Sequence, residues 1–195
     1  MTSPRALVLA STSPYRRELL GRLGLPFVVA APRIDETPVR GEAPSATALR
    51  LAQMKARAVA PGHPGSLIVG SDQVAEVDGV AVSKPGSHEA ALAQLRGMRG
   101  RTILFRTGVC LLDAASGRVQ CDLVDVASTF RVLDDAEIEN YLRRERPYDC
   151  AGAVKSEGLG IALFARIESD DPTALIGLPL IRLVDFLRRE GVRIL

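Results

Sequence analysis

The sequence predicts a mixed α/β fold, a partly antiparallel sheet flanked by helices. Three observations lead there. Apolar segments with strand character alternate along the chain with segments of helical spacing. Near the middle, Val109–Leu112 and Val119–Val126 flank the polar, glycine-containing turn Asp113–Arg118, the pattern of a hairpin and so of antiparallel pairing. At 195 residues and 47% hydrophobic, the chain has the length of one domain, read as 1–195, with a sizeable core.

The elements follow in order. Ala6–Ala10 is an apolar strand. Pro14–Leu23 is a helix with Ser13 as its cap, Pro14 at its first position and Gly24 as its stop. A strand at Phe27–Ala31 precedes a helix over Ala43–Ala60, whose Ala48, Leu51, Ala52 and Ala56 recur at helical spacing. Leu67–Val69 and Val74–Val77 have strand character and are separated by the polar Ser71-Asp72-Gln73. A helix at His88–Met98 leads to the strands Thr102–Leu112 and Val119–Val132. The helix Asp134–Arg144 opens on acids that suit its dipole. A strand at Ala162–Ile167 and a helix at Gly177–Glu190 close the chain, the latter with Leu180, Ile181, Val184 and Leu187 on one face. No repeat, long linker or low-complexity stretch interrupts this order.

Composition excludes several function classes. A net charge of +2 is too small to mark nucleic acid or a membrane as the main partner. Aromatics at 4% and the absence of tryptophan argue against an extended base-stacking platform. The apolar runs fall short of a membrane span, and the run after Arg5 is too short for a signal peptide, so a cytoplasmic location is expected. Cys110, Cys121 and Cys150 are widely spaced with no C-x-x-C pair and read as buried reduced thiols. His63 and His88 lie in Gly/Pro/Ser-rich segments, make no metal spacing and read as surface loop residues.

The chemistry concentrates in a few places. Ser11-Thr12-Ser13-Pro14-Tyr15-Arg16-Arg17 follows a buried strand directly and opens a helix. It gathers backbone N–H groups, hydroxyls and guanidinium forks at one helix N-terminus, as a polyphosphate requires. An ordinary capped helix with exposed arginines is the plainer alternative. Asp35-Glu36-Thr37 supplies acids, or is simply a charged loop. Asp72 interrupts an apolar stretch, where an unpaired carboxylate is costly; a metal or a reacting water would give it a reason. Lys55, and Lys84 before Pro85, are point charges suited to phosphate. Small residues in Cys150-Ala151-Gly152-Ala153 precede the charged Lys155-Ser156-Glu157-Gly158. There is no P-loop, GxGxxG, CxxC or HExxH. The residues alone reach metal-dependent phosphate chemistry and no named substrate.

The ordered set Leu9–Arg17, Asp35-Glu36-Thr37, Gly70–Val74, Lys84-Pro85, Cys150-Ala151-Gly152 and Lys155–Gly158 closely resembles the Maf family of nucleoside triphosphate pyrophosphatases. The resemblance runs through essentially the whole chain. It implies a bilobal fold like that of the inosine triphosphatases, with a central cleft. It implies Mg2+ or Mn2+ as cofactor and cleavage between the α and β phosphates of a nucleotide. By position, Asp72 matches the catalytic acid, and Arg16, Glu36, Lys55 and Lys84 match the other catalytic positions. Asp72 and Glu36 are the expected metal ligands. Ser11, Ser13, Tyr15, Gln73 and Glu157 are expected on the substrate.

The resemblance also separates two branches. The pyrimidine branch usually carries Arg, Thr and Gln where this chain has Tyr15, Gln73 and Glu157, so the chain is similar to the 7-methylguanine branch. A carboxylate such as Glu157 accepts from guanine N1–H and N2–H2, and Tyr15 can stack on a ring made cationic by N7-methylation. The expected substrate is 7-methyl-GTP. A plain helix-surface role for Tyr15 and an ion pair of Glu157 with Lys155 or an arginine are the alternatives. At the level of function, the alternatives are a dTTP/UTP pyrophosphatase and a binding protein of cell division and septum formation. The resemblance is compatible with a homodimer; no stretch of sequence marks an interface.

Overall fold

The computed structural model describes residues 5–195. Its centre is one open seven-stranded sheet. The strand β1 (Leu7–Ala10) pairs in parallel with β2 (Phe27–Ala30) on one side and β3 (Leu67–Val77) on the other. From β3 the sheet continues antiparallel through β5 (Thr102–Asp113), β6 (Val119–Phe130) and β7 (Phe164–Glu168). The short β4 (Val80–Val82) folds back on the far end of β3. The helices are α1 (Pro14–Gly21), α2 (Pro44–Val59), α3 (His88–Met98), α4 (Asp135–Glu145) and α5 (Leu180–Arg189). The expectation of a mixed sheet flanked by helices holds.

Apolar residues divide into two main cores, and this makes the molecule bilobal. One core joins Leu9, Leu19, Val69, Leu111 and Leu183; the other joins Ala75, Leu95, Phe105, Ile138 and Phe164. A smaller cluster of Val8, Ala56 and Ile68 lies under α2. The strands β3 and β5 run through both lobes. Between the two apolar ends of β3 sit Ser71, Asp72 and Gln73.

Period-two alternation then sorts these residues by face. Ile68, Gly70 and Asp72 face α2. Leu67, Val69, Ser71 and Gln73 face the opposite layer. The helix α2 comes unusually close, because a Cβ at Gly70 would stand 2.1 Å from the Ala52 carbonyl oxygen and one at Gly108 would stand 2.5 Å from that of Ala48. Two glycines on adjacent strands, Gly70 opposite Cys110 and Gly108 opposite Asp72, therefore seat the helix that carries Lys55.

Several expectations need correction. The strand β3 is continuous over eleven residues, since partners from other elements satisfy its polar side chains. The strand β4 was not expected, although Asp78-Gly79, with φ of 50° and 80°, is a two-residue hairpin turn. The last helix begins at Leu180, after a 3-10 turn at Pro172–Ile176 and Gly177 at φ 118°. Cys110 and Cys121 are not reduced thiols: they stand directly opposite each other on β5 and β6, with Cα atoms 4.1 Å apart, and are joined as a disulfide. That separation suits a non-hydrogen-bonded cross-strand pair. Cys150 is free and only partly buried. His88 is not a loop residue; it starts α3, with Nδ1 3.0 Å from the Tyr148 hydroxyl and Nε2 2.9 Å from Glu139.

Candidate active site

A cleft of about 360 Å³ opens where the lobes meet. Its walls include Ser11, Ser13, Tyr15, Arg16, Glu36, Lys55, Asp72, Gln73, Lys84 and Glu157. Every site residue expected from sequence thus reaches one cavity.

The turn after β1 forms the first wall. Ser11 is buried and its hydroxyl accepts the Ser13 N–H at 3.1 Å. The Ser13 hydroxyl caps α1 by accepting the Arg16 N–H at 3.4 Å. The Arg16 Nε donates to the Gly177 carbonyl at 2.8 Å. Burial pulls the guanidinium pKa down, while the nearby Asp72 and Glu36 pull it back up.

The floor is an ion-pair cluster. Lys55 Nζ lies 2.6 Å from Asp72 Oδ1 and 3.0 Å from Glu36 Oε1. Lys55 and Asp72 are 5% and 7% exposed, so each charge answers the desolvation of the other. Lys55 is therefore the structural reason that a carboxylate stands inside the sheet. The described residues bond only one Asp72 oxygen, and the side chain lines the cleft.

On the opposite face of β3, side chains hold a loop. The Ser71 hydroxyl lies within donating distance of the Gly108 and Gly177 carbonyls, at 2.7 and 2.9 Å. The Gln73 amide donates to the Ala174 and Leu175 carbonyls at 2.9 and 3.0 Å and to Thr107 Oγ1 at 3.0 Å. Gln73 was expected on the substrate; its N–H donors are instead committed to this loop. Asp171 completes the support, accepting the Thr173 N–H with one oxygen and the Ile181 N–H at the start of α5 with the other, at 3.1 and 2.7 Å.

The remaining wall gathers around Tyr15. Burial raises the Tyr15 pKa, with the Cys150 thiol, Asp149 and Glu157 adding to it and Lys155 opposing. Desolvation likewise raises the Glu157 carboxyl. Burial pushes the Cys150 thiol up to about 12, with further help from Asp149 and Glu157, so it is no nucleophile at neutral pH. No ion pair joins Glu157 to Lys155 or to an arginine among the described residues; Lys155 pairs with Glu145 at 3.2 Å.

Comparison with known proteins bears on this arrangement. The family model described as Maf-like protein matches residues 6–190. The chain belongs to the Maf family. It is 59% identical over 186 residues to the 7-methyl-GTP pyrophosphatase of Cupriavidus metallidurans, covering 95% of this chain and 94% of that protein. It is 60% identical over 188 residues to the protein of the same name from a Polaromonas species, covering 96% and 86%. Among solved structures, the Staphylococcus aureus Ham1 protein aligns over 66% of this chain and 73% of its own, with a TM-score of 0.46 and 16% identity.

In this Maf protein the donor set fits a divalent cation of a particular kind. No group of three or more His, Cys, Asp or Glu side chains converges among the described residues. Two carboxylates do, since Asp72 and Glu36 meet on one lysine. Mg2+ is commonly held by one or two carboxylates with water and substrate phosphates. Sequence reading missed Asp149, Thr107 and Glu145, which act across elements far apart in sequence.

Proposed function

We propose that this protein hydrolyses the α–β phosphoanhydride of 7-methyl-GTP, giving 7-methyl-GMP and pyrophosphate. The observation that carries the reading is the charge pattern of the cleft. Arg16, Lys55 and Lys84 offer cations to a triphosphate, while Tyr15, Asp149 and Glu157 form a separate aromatic and acidic wall. A cationic base on an anionic triphosphate matches both. The names of the related proteins support the same choice.

The chain's own groups divide the work. Asp72, steadied by Lys55, takes a proton from the water that attacks the α-phosphorus. Arg16, fixed through Nε, turns its terminal nitrogens toward phosphate oxygens, and Lys84 adds a point charge on the departing pyrophosphate. The Ser11 and Ser13 turn offers hydroxyl and backbone donors. Glu157 accepts from the guanine edge and Tyr15 stacks on the methylated ring. Gln73 acts through the loop it anchors. Asp72 and Glu36 would hold Mg2+ or Mn2+, which offsets the charge developing on phosphate oxygens when bound. Clearance of a modified nucleotide from the cytoplasmic pool completes the reading.

Hydrolysis in 18O-enriched water tests the reaction. The label is expected in 7-methyl-GMP, and Asp72→Asn is expected to slow release by roughly 10²–10⁴-fold. Label in pyrophosphate, or a fully active Asp72→Asn, would refute it.

A further inference from the structure

The segment that carries Glu157 is held in place by α4. Tyr141, 3% exposed, donates its hydroxyl proton to the Ala153 carbonyl at 3.0 Å and accepts the Lys155 N–H at 3.0 Å. Glu145, the last residue of α4, accepts the Leu159 N–H with Oε1 at 2.6 Å. Its Oε2 lies 3.2 Å from Lys155 Nζ. The loop presses on this carboxylate, as a Cβ at Gly158 would stand 2.7 Å from Oε1.

This pairing matters because of where Lys155 lies. Its charge acts on Tyr15 and on Glu157, the two groups assigned to the base. A free ammonium there would compete for Glu157 and repel a cationic ring. Its pairing with Glu145 offsets that charge, no ion pair forms between Lys155 and Glu157, and the wall keeps the negative charge of Asp149 and Glu157.

We propose that Glu145 is a positioning residue for base selection, which holds Lys155 away from Glu157 so that this carboxylate stays free for the base. The inference rests on the assignment of Glu157 to the base. Glu145→Gln separates charge from structure, because the amide oxygen still accepts from Leu159 N–H while the ion pair is lost.

Inhibition by two products reads the two halves of the cleft. 7-Methyl-GMP probes the base wall and inorganic pyrophosphate probes the cationic groups. Glu145→Gln is expected to weaken 7-methyl-GMP about tenfold while pyrophosphate stays within about twofold. Adding Lys155→Met to Glu145→Gln is expected to restore 7-methyl-GMP, and Lys155→Met alone to leave it as in the wild type. In Glu157→Gln the product binds weakly and Glu145→Gln weakens it no further. If Glu157→Gln binds 7-methyl-GMP normally, the base assignment falls. If Glu157→Gln weakens it but Glu145→Gln does not, or if Lys155→Met fails to restore it, Glu145 has no such role. Loss in Lys155→Met alone, a variant that keeps both acids, would equally overturn the inference.

Discussion

Gly70→Ala places a methyl group between β3 and α2. Its Cβ would stand 2.1 Å from the Ala52 carbonyl oxygen and 2.9 Å from the Ala56 nitrogen. Both neighbours are helix backbone, so no side-chain rotation relieves the clash. Reaching an ordinary contact requires α2 to back away by about 1 Å. Overpacking of this kind costs about 1–3 kcal/mol. The same movement carries Lys55, between Ala52 and Ala56 on that helix, away from Asp72 Oδ1 at 2.6 Å and Glu36 Oε1 at 3.0 Å. Misplacement of a reacting group by about 1 Å can slow catalysis about 10²-fold. Urea unfolding and pyrophosphate release from 7-methyl-GTP measure the two effects. Gly97→Ala, on open helix surface with nothing within 4 Å of the added atom, is the control. Wild-type stability and rate in Gly70→Ala would refute the argument that this close approach sets the cluster.

Three further outcomes follow from the geometry. Desolvation raises the Glu157 pKa above its ordinary 4.5, so the folded state binds this proton more tightly than the unfolded chain. Stability from that source is complete below pH 4.5 and is lost as pH rises through the folded value. Glu157→Gln should therefore melt higher than wild type at pH 7 and lose that advantage near pH 4; an equal difference at both pH values would contradict it. With Cys110 and Cys121 joined, alkylation of the unreduced, denatured chain should modify one cysteine, and all three after reduction. In the folded protein at pH 8, Cys150 should react slowly because its thiol pKa is pushed up to about 12; three modified cysteines without reductant, or a fast Cys150, would be wrong. Asp171→Asn weakens an acceptor shared by Thr173 and the start of α5, and with it the loop that presents Gly177 to Arg16. A loss of about 1–2 kcal/mol in urea and a lower kcat/KM are expected; unchanged values for both would remove Asp171 from the account.

What could be read from the sequence was what depends on neighbours in the chain. The cap at Ser13, the acids that open the helix after Asp134, and the helix His88–Met98 are local and were legible. The hairpin around Asp113–Arg118 was legible for the same reason. Asp72 stood out because a carboxylate in an apolar strand violates a general cost. Its pairing with Lys55 did not, since that lysine lies seventeen residues earlier on another element. The continuity of β3 was hidden likewise, because Ser71 and Gln73 bond to carbonyls of a loop about a hundred residues later. Cys110 and Cys121 become a pair only once the register of β5 and β6 is set. The late start of α5 reflects support from Asp171, ten residues before Ile181. The Asp78-Gly79 turn was a local signal that reading by apolar periodicity passed over.

The most direct test of the account is the rate of pyrophosphate release by the wild-type protein from 7-methyl-GTP, GTP, dTTP and UTP with Mg2+ or Mn2+. Release mainly from 7-methyl-GTP is the expected result, because only that base brings a cation to the wall of Tyr15, Asp149 and Glu157. Release mainly from dTTP or UTP would contradict the reading of that wall, and no release from any of the four would contradict the assignment of the cleft as a pyrophosphatase site.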